Sequence, residues 1–280
     1  MCRLIDRPFV YQLDTVLFHG GLEPGQVVEL NGEEGTGKSQ YLLHLLASAV
    51  LPATAFGVDI GGLEAEVLFI DTKYTFNMLR LVAVLEQRLS AALNKSTDAC
   101  TPEKSTCGNT EAEEDPVESA VRQCLTRFFF VRCISSSQLA VTLCSLESVF
   151  AAKSSIRLVM LDDISAFFHM DVFTNTESHF NLCISLLKKL VNTRQLLVIA
   201  TRTHIDVVKL TFKRDSGGDN KCTNDLRKTY FSAWRQLKTH SRTFAKTDSN
   251  NLFSATVEST TNDATRVNFT VVESGIRIVS

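Results

Sequence analysis

The sequence lacks any run of about 18 or more apolar residues, so no helix long enough to cross a bilayer is expected. Residues 1–9 mix Arg3, Asp6 and Arg7 with apolar neighbours and lack the apolar stretch of a secretory signal. Its eight cysteines, at 2, 100, 107, 124, 133, 144, 183 and 222, include no Cys-x-x-Cys pair and no Cys/His cluster at zinc spacing. A disulfide framework is therefore not expected, and a reducing compartment is. Cys144 and Cys183 fall in apolar helical patterns and are expected in the core. An excess of charge of either sign is also lacking: 29 Lys and Arg against 31 Asp and Glu leave −2, which argues against a uniformly basic nucleic-acid binder. With 44% apolar and 21% charged residues, the 280-residue chain has the composition of a folded protein of one large or two small domains.

The pattern along the chain alternates strands and helices. A leader at 1–26 ends in the turn signals Gly20-Gly21 and Pro24-Gly25. Val27 to Leu30 is a buried strand, and Tyr41 to Leu51 a helix closed by Pro52. Val67 to Ile70 is a second strand, and Met78, Leu81, Val82, Leu85 and Leu89 set a helix over 76–93. Residues 94–120, rich in Ser and Thr and then in Glu and Asp, are expected to be a disordered acidic insertion. Strands follow at Phe128 to Val131, Leu158 to Leu161 and Leu196 to Ala200. Between them lie a helix capped by Ser135–Ser137 and one opened by a Thr174-x-x-Glu177 capping box. From about Thr239 the runs Arg242–Ala245, Leu252–Val257, Val267–Val272 and Ile276–Val279 predict an antiparallel extension. The whole predicts an α/β fold around a mostly parallel sheet, with one core over 27–280.

Gly32-Glu33-Glu34-Gly35-Thr36-Gly37-Lys38-Ser39 meets every fixed position of G-x-x-x-x-G-K-[ST]. Glycines let the backbone curl so that successive amides point at phosphate oxygens, and the following helix adds its positive end. Lys38 would reach the outer phosphates and the Ser39 hydroxyl would hold Mg²⁺. A chance match is expected in roughly 1% of chains this long, and the position between a strand and a helix makes chance rarer still. Asp162, closing the apolar strand at 158–161, is the candidate second Mg²⁺ ligand; the competing reading is a solvated turn carboxylate.

This order, the phosphate loop, then Val67–Phe76 (VLFIDTKYTF), then the strand to Asp162 continuing as Asp163-Ile164-Ser165-Ala166-Phe167, resembles a RecA-type recombinase core, and more closely the eukaryotic recombinase paralogues. The resemblance covers most of the chain, omits 94–120 and is weakest beyond Asp206. It implies a RecA-like ATPase core binding ATP and Mg²⁺. It also implies a nuclear subunit of a heteromeric paralogue complex that assists the recombinase filament on single-stranded or branched DNA in homologous recombination, with no membrane association. Members of the wider family carry an amino-terminal helical domain and a linker with a Phe-x-x-Ala plug. Residues 1–26 contain no Phe-x-x-Ala, so an end position in the assembly is expected.

Two residues also depart from the family pattern. Where active members have Asp-Thr-Glu, whose Glu activates water, this chain has Asp71-Thr72-Lys73. A protonated lysine offers only donors, and general-base help is worth about 10²–10⁴ in rate, so any hydrolysis should be slow. Asp163 is either a substitute base or a structural carboxylate. The family's γ-phosphate-sensing Gln aligns with Thr203, whose shorter side chain makes coupling to DNA doubtful. Eleven Lys and Arg against four Asp between Arg202 and Lys246 make a local excess of +7, in a segment where the resembling family has a flexible DNA-contacting loop. Lys209, Lys213, Arg214, Lys221, Arg227 and Lys228 are the candidates for DNA or partner contact, with a solvated charge face as the alternative. Trp234 is expected in the core. Three functions compete: an ATP-binding, weakly or non-hydrolysing subunit of a repair complex, a phosphotransferase resembling nucleotide kinases, and a scaffold with a vestigial site.

Overall fold

The computed structural model describes residues 13–14, 16–18, 21–99, 115–204, 228–247, 251–257 and 265–279. The segment 100–114 of the expected acidic insertion lies outside them, as do Lys209, Lys213, Arg214, Lys221 and Arg227.

Among the described residues eleven strands and seven helices follow in this order: β1 (Val27–Gly32), α1 (Lys38–Val50), β2 (Thr54–Ala55), β3 (Val58–Asp59), β4 (Val67–Asp71), α2 (Met78–Ala99), α3 (Pro116–Leu125), β5 (Phe128–Arg132), α4 (Ser136–Ala152), β6 (Leu158–Asp162), α5 (Phe168–Thr174), α6 (Glu177–Arg194), β7 (Leu197–Thr203), α7 (Ser232–Leu237), β8 (His240–Lys246), β9 (Leu252–Val257), β10 (Thr265–Val272) and β11 (Gly275–Val279). Nine strands form one sheet in the order β11-β10-β9-β8-β1-β7-β6-β4-β5, and β2 and β3 make a separate ribbon. From β5 to β8 every neighbour is parallel; β8 to β11 are antiparallel.

Period-two alternation decides which face each strand residue feeds. Val28, Leu30, Val67, Phe69, Leu158, Met160, Leu197 and Ile199 join one apolar layer with α1, α2 and α3. Val27, Leu68, Ile70, Val159, Leu161, Val198 and Ala200 join the other, with α4, α6 and α7. Burial on both faces is why these strands read as continuous apolar runs rather than alternating ones.

Several boundaries differ from expectation. α2 runs on to Ala99, and Pro116–Leu125 is a helix where disorder was expected up to 120. Asp115 caps it by accepting from the Val117 amide at 2.9 Å, and Pro116 stands in its first turn, where a missing N–H costs nothing. Thr174 does not open a capping box: its hydroxyl bonds the Met170 carbonyl at 2.8 Å as the last residue of α5, and Thr176 precedes α6. Ser135 caps α4 as expected, accepting from the Gln138 amide at 3.1 Å. Cys144 is exposed, because α4 buries Leu139, Leu143, Leu146 and Phe150 and the next residue falls about 100° round the helix. Cys183 is buried.

The tail also begins differently. β8 pairs parallel with β1, and only then do β9, β10 and β11 reverse direction. β8 is entered through α7, a helical crossover, whereas a tight hairpin would force the antiparallel arrangement. No described helix is long and apolar enough to cross a membrane.

Candidate nucleotide-binding site

At the carboxyl ends of the parallel strands, the loop from Gly32 to Ser39 leaves β1 and enters α1. Gly32 must be glycine on packing grounds, since a Cβ there would lie 2.3 Å from the Phe244 carbonyl oxygen of β8. Gly37 sits at φ +85 immediately before α1 and would press a Cβ against Phe253 and Phe269 at 3.3–3.4 Å. Together these let the loop wrap tightly, leaving the first-turn amides of α1 without intrahelical acceptors. A cleft of about 280 Å³ opens over the loop, bordered by Lys73 and Thr75 after β4 and by Phe253 and Val271 of the tail strands.

Lys38 is 5% exposed and folded back on its own loop. Its ammonium donates to the carbonyls of Gly32 at 2.9 Å and Glu33 at 2.5 Å, and to the Thr36 hydroxyl at 3.3 Å. Burial pulls it down to about 8, with Lys73 adding to the shift and Asp163, Asp162 and Glu34 opposing it. An ammonium held only by neutral oxygens, at the mouth of a cleft floored by helix-start amides, fits a polyphosphate.

Asp162 ends β6 and is 3% exposed, so the solvated-turn reading does not hold for it. It accepts from the Thr201 hydroxyl, and the Ser39 side chain lies beside it. Burial pushes the carboxyl up, Thr201 and Ser39 pull against it, and Asp163 adds to the rise. The sequence-predicted pair Ser39 and Asp162 thus lie next to each other. Two protein oxygens of this kind suit Mg²⁺, which keeps its other positions for waters and phosphate oxygens. Among the described residues no group of three or more His, Cys, Asp or Glu gathers to hold a metal unaided.

Next to this pair lies a closed network. The Asp71 carboxylate accepts from the amides of Lys73 at 3.1 Å and Tyr74 at 2.8 Å, bending the chain after β4, with Tyr74 at φ 62. The bend aims Lys73 at the ends of β6 and β7. Its Nζ donates to the Thr203 hydroxyl at 2.8 Å and pairs with Asp163 Oδ2 at 3.2 Å. Thr203 Oγ1 itself donates to Asp163 Oδ2. Asp163 Oδ1 accepts from the Ser165 amide at 2.7 Å and hydroxyl at 2.6 Å. Asp163 is 1% exposed with both oxygens engaged, so the geometry favours the structural reading over a substitute base. Thr203 turns its hydroxyl to Asp163 rather than spanning the cleft.

Of the candidate basic residues, only Lys228 is described, and its carbonyl accepts from Arg235 at 2.5 Å. Trp234 is buried as expected, though on α7, and its indole N–H donates to Glu29 at 2.6 Å. Glu29, within the apolar run of β1, is a hub that sequence reading missed: Arg202 (2.8 Å), Lys238 (2.7 Å) and Ser241 (3.0 Å) also converge on it. A carboxylate inside a buried strand was the available signal, since burial there demands charged partners. Phe253 and Val271 were missed too, because nothing local ties the last strands to a loop more than 200 residues upstream.

Comparison with known proteins agrees with this fold. The Rad51 family matches residues 9–102. The chain is 34% identical over 260 residues to DNA repair protein XRCC2 of Mus musculus, spanning 89% of this chain and 83% of that protein. It is 32% identical over 222 residues to the DNA repair protein XRCC2 homolog of Arabidopsis thaliana, spanning 71% of this chain and 59% of that one. A shorter match, 46% over 76 residues, relates 27% of it to 19% of DNA repair protein rhp51 of Schizosaccharomyces pombe. With a phosphate loop between β1 and α1, an acid at the end of β6 and a similarity to XRCC2 sequences that runs over most of its length, the chain belongs to the Rad51-paralogue family of RecA-like proteins.

Proposed function

We propose that this chain is an ATP-binding, slowly or non-hydrolysing subunit of a nuclear complex of recombinase paralogues. In this reading the complex supports recombinase filament assembly on single-stranded DNA during double-strand break repair. The observation that carries it is the pairing of an intact phosphate loop with a lysine where a water-activating carboxylate belongs. The cleft has amides, Lys38, Ser39 and Asp162 to bind Mg²⁺-ATP. Asp163, the acid next to Asp162, is enclosed and tied to Lys73, Thr203 and Ser165. A group that must accept a proton from water needs a free lone pair within hydrogen-bond reach of it.

Bound nucleotide would supply phosphate charge and, with Mg²⁺, a rigid body between the loop and the tail strands. This chain's residues would bind it, orient it and withhold a base. Family membership and the names of the matched relatives support the repair role, the paralogue partners and the nuclear location.

The test is nucleotide binding and turnover by the purified chain, alone and with a paralogue partner. Saturable ATP binding abolished by Lys38→Ala, without turnover above background by the isolated chain, is expected. Turnover by the isolated chain that disappears in Lys38→Ala would refute the non-hydrolysing assignment. Absence of binding in both settings would favour the scaffold reading.

A further inference from the structure

We propose that Lys73 is the γ-phosphate-recognising residue of this site, a second ammonium beside the loop lysine that makes the cleft prefer a nucleoside triphosphate to the diphosphate. The proposal rests on the nucleotide-binding reading above and deepens it. Lys73 borders the same cleft as Gly35 to Ser39, although it arrives from the end of β4 rather than from the loop. Two of its hydrogen-bonding directions are used, to Thr203 Oγ1 at 2.8 Å and Asp163 Oδ2 at 3.2 Å. An ammonium has three N–H groups, so one donor is left for a ligand. Its side chain is 26% exposed while that of Asp163 is fully enclosed, so the ion pair has a closed carboxylate side and an open ammonium side.

A lysine serving only to neutralise Asp163 would gain nothing by opening onto the cleft, since exposure screens the pair it makes. Here the anchor instead restrains a long side chain in one place, which lowers the entropy lost when a phosphate arrives. Charge arithmetic points the same way. The cleft and its floor carry Lys38 and Lys73 against Glu34, Asp162 and Asp163, one negative charge in excess, and Mg²⁺ answers part of the phosphate charge. A third phosphate adds negative charge farthest from the α1 amides, where a further cation counts most. The same lysine that removes the hydrolytic base would thereby hold the triphosphate intact.

The test compares Mg²⁺-ADP with the non-hydrolysed triphosphate analogue AMP-PNP, titrated calorimetrically into the full chain, wild type and Lys73 variants. The wild type is expected to bind AMP-PNP more tightly than ADP by on the order of tenfold or more. Lys73→Met should weaken AMP-PNP by on the order of tenfold to a hundredfold and ADP by less than about threefold. Lys73→Arg should retain the preference. Lys73→Gln, which keeps a hydrogen bond for Asp163 and Thr203, provides the same readout if the Met variant loses its fold. Equal weakening of both nucleotides, or a preference that persists in a folded Met or Gln variant, overturns the proposal while leaving nucleotide binding intact. A wild type that binds both equally does the same, whereas a wild type that binds neither overturns the nucleotide-binding reading and this proposal together.

Discussion

Raising the pH from 7 to 9 should weaken nucleotide binding through one identified group. The Lys38 ammonium is buried against neutral oxygens, and burial pulls it from 10.5 to about 8 in the nucleotide-free chain. At pH 7 about nine-tenths of the molecules then carry the charge, and at pH 9 about one-tenth do. Phosphates beside the amine favour its charged form, so binding requires the proton to be taken up when it is absent. The affinity should therefore fall about tenfold between pH 7 and 9, with a proton uptake approaching one per nucleotide at the upper end. Calorimetry in two buffers of different ionisation enthalpy measures both quantities. Lys38→Arg, which stays charged throughout, should give a flat profile at whatever affinity it retains. An equally flat wild type, or an Arg variant with the wild-type slope, would refute the reasoning. The sign for stability is opposite. The unfolded lysine keeps its proton up to about 10.5 while the folded one releases it near 8, so the unliganded chain should gain stability over that window.

Two further outcomes test the packing around the site. Glu29→Gln should cost about 3 kcal/mol in denaturant unfolding, because it strands the Arg202 and Lys238 charges that now meet at one fully buried carboxylate. A loss below about 1 kcal/mol would mean that both cations rehydrate. His44 accepts the Ile276 amide at 2.9 Å, which fastens the β10–β11 turn to α1, and burial reinforced by Arg88 holds it down at about 4. Because the unfolded imidazole takes its proton near 6.5, stability should fall as the pH drops from there to about 4, by about 3 kcal/mol. His44→Gln should flatten that slope, and an unchanged slope would assign the acid lability to other groups.

The phosphate loop was legible because its chemistry is local: eight consecutive residues specify the turn, the amides and the lysine. The strands β1, β4, β6 and β7 were legible for a related reason, since burial on both faces leaves unbroken apolar runs. Helix α3 was not, because its acids and Pro116 look like a polar linker until Val117, Val121 and Cys124 find α2 to pack on. The Thr174 box failed because a matching spacing cannot say which of two nearby hydroxyls stands free of the preceding helix.

From its sequence alone the chain was committed to an α/β fold with a phosphate loop, an acid after an apolar strand and a lysine in place of a base. Composition also carried a basic stretch hidden under a neutral total. Tertiary structure alone decided that Lys73, Asp163 and Thr203 close on one another, that Glu29 gathers its cations, and that Phe253 and Val271 wall the cleft. Residues 73, 163 and 203 come from three strand ends that only the β7-β6-β4 order brings side by side. Hydrogen bonds and ion pairs act over a few ångströms, so they follow the strand order of the sheet, which residue spacing along the chain does not encode.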